Sequence, residues 1–257
     1  MSNFSKTFSS TLGKKLVMSL TGLFLCVFLI VHLIGNLQIF KADDGLAFNQ
    51  YAHFMTHFPP IKIISYLLYL SIIVHSVWAL ILTRRNKAAR PIGYAIKPKD
   101  GSIWSSRNMG ILGTIIFIFI VVHMSNFWFK YHQGYTPFVE YQTNLKTGET
   151  TTRVLDASEF KEYVTYVDNG IQITQSEDLY KEVYTAFQQW WLVLFYVIAM
   201  AALAFHLIHG FQSAFQTLGW NHRKYFPIAK FVGLWGFGIL IPLAYVAMPL
   251  YVFLTNL

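Results

Sequence analysis

Charge is scarce in this chain. Only 12% of its 257 residues are Asp, Glu, Lys or Arg, against the roughly 25% of soluble domains. So little charge excludes an ordinary water-facing globular domain. Cysteine is nearly missing as well: Cys26 stands alone, which excludes a disulfide framework, a zinc-type cysteine cluster and a cysteine-ligated iron–sulfur centre. There is no flavin or dicarboxylate motif, no internal repeat and no low-complexity tract. The opening apolar run is too long for a signal peptide and has no small-x-small cleavage site, so it reads as a retained helix.

What is present is apolar: 54% of the chain, with 18% aromatic. No Lys, Arg, Asp or Glu interrupts Leu16–Phe40, Ile63–Thr83, Asn108–Phe129, Val183–Asn221 or Phe231–Leu257. Each run reaches the about 20 residues that cross about 30 Å of hydrocarbon. The expectation is an all-α integral membrane protein, one domain over 1–257. Its five spans fall at about 16–40, 61–84, 108–131, 186–217 and 227–254. A loop at Lys41 to Pro60 joins the first two spans, another at Asn86 to Arg107 joins the second and third, and a long polar loop fills about 132–185. Alternating patches at Gly148 to Val154 and Tyr163 to Ile173 suit either a small hairpin or an irregular loop.

The net charge of +8 is sorted by loop rather than gathered on a nucleic-acid-binding face. Lys6, Lys14 and Lys15 precede the first span. Arg84, Arg85, Lys87, Arg90, Lys97, Lys99 and Arg107 join the second to the third, and Arg223, Lys224 and Lys230 join the fourth to the fifth. Asp100 is the one acid among them; all other acids fall on the opposite side. The positive-inside rule then puts the N-terminus in the cytoplasm and, after five crossings, the C-terminus outside.

Of 9 histidines, five lie inside expected spans: His32, His75, His123, His206 and His209. Ionisable groups in hydrocarbon are costly and usually face a bundle interior with a task to perform. Rise along the helices sorts them by depth. His32 and His123 both lie roughly 25 Å from the basic flank, while His75, His206 and His209 lie at roughly 14, 20 and 15 Å. Two histidine pairs at two levels, from four helices, are what two bis-histidine haems require. On the fourth span, Ala199, Ala202, His206, Gly210, Ser213 and Thr217 form a small-residue stripe that offers room, although such stripes also serve plain helix packing. Depth alone leaves both His206 and His209 open as partners of His75, and slightly favours His209.

Three stretches carry a resemblance: Gly22-Leu-Phe-Leu, then Ile30-Val-His32-Leu-Ile-Gly-Asn36, then Ala47-Phe-Asn-Gln-Tyr-Ala-His-Phe-Met55. Phe205-His206 with Gly210, Ser213 and Gly219 adds a fourth. With these the chain resembles the five-helix, single-chain, di-haem cytochrome b membrane anchors of bacterial succinate dehydrogenases and fumarate reductases, the succinate:quinone oxidoreductases. The resemblance covers all five spans. It implies two haem b groups with His32, His75, His123 and His206 as axial ligands to haem iron. The family's fourth-helix ligand has glycines four and thirteen residues on, which selects His206 and leaves His209 near a haem propionate or in a structural hydrogen bond. It also implies a flavoprotein and an iron–sulfur partner subunit, electron transfer to or from a membrane quinone (menaquinone by family), and a multi-pass place in the bacterial cytoplasmic membrane. Succinate chemistry would belong to the partners. The basic stretch Arg84 to Arg107 would help dock them, or simply obey the positive-inside rule. His53 and His57 would lie near a quinone, or on the surface with no such role. The loop between the third and fourth spans is longer than in the family members this chain otherwise most resembles. Two rivals remain: the cytochrome b subunit of another quinone-linked oxidoreductase, and a haem-free proton or solute transporter using its histidines as a relay.

Overall fold

In the computed structural model, residues 10–89 and 104–255 are described. Lys6, Arg90, Lys97, Lys99 and Asp100 of the charge pattern, and Pro91, Pro98 and Gly101 of the expected loop, lie outside them. Five helices are long and apolar enough to cross a membrane: Thr11–Phe40, Pro59–Ala88, Met109–His132, Trp190–Thr217 and Phe226–Thr255. The chain is thus a multi-pass helical membrane protein. Ile63, Leu70, Ile73, Leu240 and Leu243 stay exposed on these helices, an apolar surface that suits lipid and not water.

Several boundaries differ from expectation. The first helix starts at Thr11, so Lys14 and Lys15 are helical. The second runs through both arginines to Ala88, and the fourth starts at Trp190. The first two helices outlast the hydrocarbon run because nothing in the flanking sequence breaks them; Lys and Arg are good helix formers. The fourth is shorter than its uncharged run because Leu179–Phe187 forms a separate helix ahead of it. The third and fifth spans each widen into a π-helical stretch, Met124–Phe129 directly after His123 and Val232–Leu240. Local widenings of this kind often accompany functional sites.

The expected loop between the first two spans contains a helix, Leu46–His57. Gly45 at its N-cap has φ +89°, a conformation only glycine adopts freely, and the Asp43 carboxylate accepts from the Gly45 and Ala47 amides at 3.2 and 3.1 Å. The long polar segment takes the hairpin alternative rather than the loop and extends it, so the chain is not all-α as expected. It forms a four-stranded antiparallel sheet, β1 (Phe138–Asn144), β2 (Thr150–Leu155), β3 (Val164–Asp168) and β4 (Ile171–Glu177), in the order β2-β1-β4-β3. The helix Leu179–Phe187 follows. The β3–β4 turn is Asn169-Gly170, both at positive φ, the residue pair that best suits a two-residue hairpin. Threonines face one another across the ladder, with Thr143 and Thr150 hydroxyls 2.9 Å apart and those of Thr165 and Thr174 3.1 Å apart. Glu140 stands opposite Arg153 and Gln175 in the register. Burial alone would raise its carboxyl; hydrogen bonds from Gln175, Gln142 and Arg153 outweigh this and hold it below the usual range.

By contact pattern the chain divides into two compact units. The first comprises Met1–Val31, Ser65–Phe119 and Val197–Val246; the second comprises His32–Ile64, Ile120–Tyr196 and Ala247–Leu257. In the first unit, fourth and fifth spans pack closely. Phe211 stacks on Phe237 at 4.7 Å, and a Cβ at Gly238 would come within 2.3 Å of Ile208. Ala199 and Ala202 of the small-residue stripe are buried. The Tyr245 hydroxyl donates to the Leu29 carbonyl at 2.7 Å.

The second unit is held by Asn49, 1% exposed. Its Nδ2 donates to the Tyr141 hydroxyl at 2.8 Å and to Asp178 Oδ1 at 2.9 Å, while its Oδ1 accepts from the Tyr180 amide at 2.9 Å. Asp178 also caps the helix after β4 by accepting from the Lys181 amide. One amide side chain thereby ties the Leu46–His57 helix to the sheet and to the helix that follows it.

Candidate functional site

The membrane histidines meet in two pairs. In the second unit the His32 and His123 rings stand 5.7 Å apart at a 90° interplanar angle. His123 Nδ1 lies 3.1 Å from the Tyr196 hydroxyl. Beside His32, Gly35 lets the Leu46–His57 helix approach, since a Cβ there would come 2.2 Å from the Tyr51 ring. Asn36 Nδ2 donates to the His32 carbonyl at 2.8 Å.

In the first unit His75 and His206 stand 6.3 Å apart, tilted by 59°. His75 Nδ1 lies 3.1 Å from Thr21 Oγ1. That hydroxyl spends its own proton on the Val17 carbonyl at 2.8 Å, so it accepts from His75 Nδ1–H. The lone pair of His75 is then on Nε2, fixed by a partner behind the ring, as in many metal-binding histidines. Space around the pair is kept by glycine: a Cβ at Gly22 would come 3.3 Å from His75 Cε1, and one at Gly113 would stand 3.9 Å from His206 Cε1. His209, one turn beyond His206, is half-buried; the ring that meets His75 is that of His206.

Three observations bear on whether haem fits these residues. First-row metal ions hold imidazole nitrogen at about 2.0 to 2.1 Å, so two rings sharing one ion have centres about 6 Å apart, close to the 5.7 and 6.3 Å found. His206 Nδ1 is buried without a hydrogen-bond partner, a costly state for a polar nitrogen unless something else binds the ring. Finally, the first three spans bury only 11%, 6% and 11% of their most apolar stretch, against 44% and 39% for the fourth and fifth. Such sparse burial is what lipid-facing helices show; it is the ring separations and the unpartnered His206 nitrogen that fit haem iron.

His53 and His57, outside the spans, line a cavity of about 450 Å³ with Phe160, Glu162, Tyr163 and Glu177. The His53 ring stacks between His57 at 4.0 Å and Tyr163 at 3.8 Å. Burial, and then the charge of His57, push His53 below its ordinary pKa. Burial raises the Glu177 carboxyl, opposed by His57 and by a hydrogen bond from Tyr131. A depressed histidine pKa means that folding favours neutral His53. Its contribution is full above its unfolded value of about 6.5 and is lost as pH falls through the lower folded value. We therefore expect His53 to titrate below 6.5 in an NMR experiment on ring-labelled protein, and to move upward in His57→Gln. A midpoint at or above 6.5 would contradict the stacked, partly dehydrated environment.

Sequence reasoning passed over the roles of Thr21, Tyr196 and Asn49, which meet the paired histidine rings or tie the sheet to its neighbouring helices. Thr21 and Tyr196 carry a faint signal, since each is a polar group in an apolar run. Asn49 falls within the stretch from Ala47 to Met55 that carries the resemblance, but nothing local shows its role, because its partners are some 90 and 130 residues away in sequence. Comparison with protein-family models, curated proteins and solved structures gives no match for this chain.

Proposed function

We propose that this chain is the membrane-anchor cytochrome b subunit of a succinate:quinone oxidoreductase. It holds two b haems and passes electrons between flavin- and iron–sulfur-bearing partner subunits and a membrane quinone, menaquinone by the family resemblance. The observation that carries this reading is the meeting of His32 with His123 and of His75 with His206, drawn from four different spans. When bound, the haems supply one-electron carriers inside the membrane. The protein's part is to hold and tune them. Thr21 fixes the His75 tautomer, Tyr196 orients His123, and the apolar spans keep water away, which favours a stable reduction potential. The N-terminus and the basic loops face the cytoplasm of a bacterial inner membrane. There Arg84, Arg85, Lys87 and Arg107 meet the partner subunits on which succinate chemistry takes place.

The test is a reduced-minus-oxidised absorption spectrum of the complex purified in mild detergent, with haem quantification and succinate as reductant. Two b haems per chain, reduced by succinate through co-purified flavin-bearing subunits, is the expected result. Haem that succinate cannot reduce would favour a different quinone-linked oxidoreductase. A purified chain without a Soret band would overturn the electron-transfer reading in favour of a histidine relay.

A further inference from the structure

Lys14 is 5% exposed, although it sits in the first turn of the first span. Its neighbour Lys15 is exposed, and membrane sidedness accounts for Lys15 fully. Sidedness asks nothing of a buried lysine. A buried ammonium is retained where something pairs with it, because desolvating an ion is expensive. The partner visible for Lys14 is the Trp78 ring, whose centre lies 5.8 Å from Nζ, and a cation–π contact offsets only part of that cost. No acid lies among the described residues of this unit; its segments contain Asp100 alone, outside the described residues. Among the described residues of its unit, Lys14 therefore has no carboxylate partner.

The position of Lys14 says which anion. Trp78 lies three residues, about one turn, beyond His75 on the second span. Thr21, whose hydroxyl meets His75, lies seven residues beyond Lys14 on the first span, about two turns and hence on the same face. Both neighbours lead from Lys14 to the His75–His206 pair. A porphyrin of the b type carries two propionate carboxylates on one edge. We infer that Lys14 is the charge partner of a propionate of the haem held by His75 and His206, a positioning residue that fixes the orientation of the macrocycle and raises its reduction potential. This rests on the haem reading above.

The experiment is a potentiometric titration of both haems in the whole complex, for wild type, Lys14→Met, Lys14→Arg and Lys14→Gln. Removing the cation leaves the propionate charge uncompensated and favours the oxidised haem. Lys14→Met should shift one haem's reduction equilibrium by about tenfold, about 59 mV for one electron, downward, and should leave the other haem in place. Lys14→Arg should keep most of the wild-type midpoint. Unmoved midpoints for both haems in Lys14→Met would overturn the inference. So would loss of the shift in an Asp100→Asn background, which would make Asp100 the partner. Where haem content itself falls, retention in Lys14→Arg with loss in Lys14→Gln supports the charge role, and equal loss in both refutes it. A wild type without haem would instead sink the parent reading before any Lys14 variant is compared.

Discussion

Alanine at His32 or at His123 is expected to remove one of the two haems, and alanine at His75 or at His206 to remove the other, so that each variant falls to about half the wild-type haem content. The pairing follows from ring separations of 5.7 and 6.3 Å. Two ligands of one iron act as a unit, so the double variant His32→Ala/His123→Ala should lose no more haem than either single one. A cross-pair double, His32→Ala/His75→Ala, should lose both. His209→Ala should keep both, because the ring that meets His75 is that of His206. Quantification by pyridine haemochrome reads all of these. Haem lost in His209→Ala but kept in His206→Ala would move the fourth-span ligand by one turn. Full haem in the His32 and His123 variants would remove that pair from the haem reading.

The next largest effect is expected outside the membrane helices. Asn49→Ala withdraws partners from the Tyr141 hydroxyl, the Asp178 carboxylate and the Tyr180 amide together. Asp178 keeps the Lys181 amide and Tyr141 keeps the Asp44 carbonyl, so the Tyr180 amide is the group left without its acceptor. At about 1 to 3 kcal/mol for such a group, plus the weakened contacts of the other two, a few kcal/mol should go from the seat of the sheet. Asn49→Asp tests the sign of the contact. It keeps the shape but removes both donors and places a second carboxylate against Asp178, so it should be no better than alanine. Limited proteolysis between Gly134 and Gln189, alongside haem content, is the measurement. The sheet region should be cut far faster while the His75–His206 haem is retained. Wild-type protection in Asn49→Ala would mean that the apolar contacts around Tyr141 and Val139 hold the sheet unaided.

The five spans were legible because hydrocarbon imposes a length and forbids charge, and both constraints are written locally. The histidine positions were legible for the same reason: each is an ionisable group where one is expensive. Ends were harder. Lys14 read as a flanking charge, since no local feature separates a buried lysine one turn into a helix from an exposed one beside it. The sheet was half-legible. Asn169-Gly170 is a strong hairpin signal and the flanking residues alternate, yet β2 is Thr-rich and β2 and β3 are mostly solvent-facing, so composition alone read as loop. The Leu46–His57 helix was obscured by its shortness and by the prolines that follow it. The choice of His206 over His209 as the partner of His75 depended on a turn-level register that rise per residue does not resolve once helix ends are uncertain by several residues.

The π-helical stretch behind His123 has a consequence for how such chains should be aligned. A π turn accommodates one residue more than an α turn before the ladder resumes. Everything from Met124 to His132 is therefore displaced by one position relative to a straight helix bearing a histidine at the same depth. Superposing the two sequences needs a one-residue gap in the middle of a membrane span. Alignment conventions push gaps into loops, which would mispair Phe127 and Tyr131, both buried, with lipid-facing positions in a relative. The fifth span, with its own widened stretch at Val232–Leu240, calls for the same treatment.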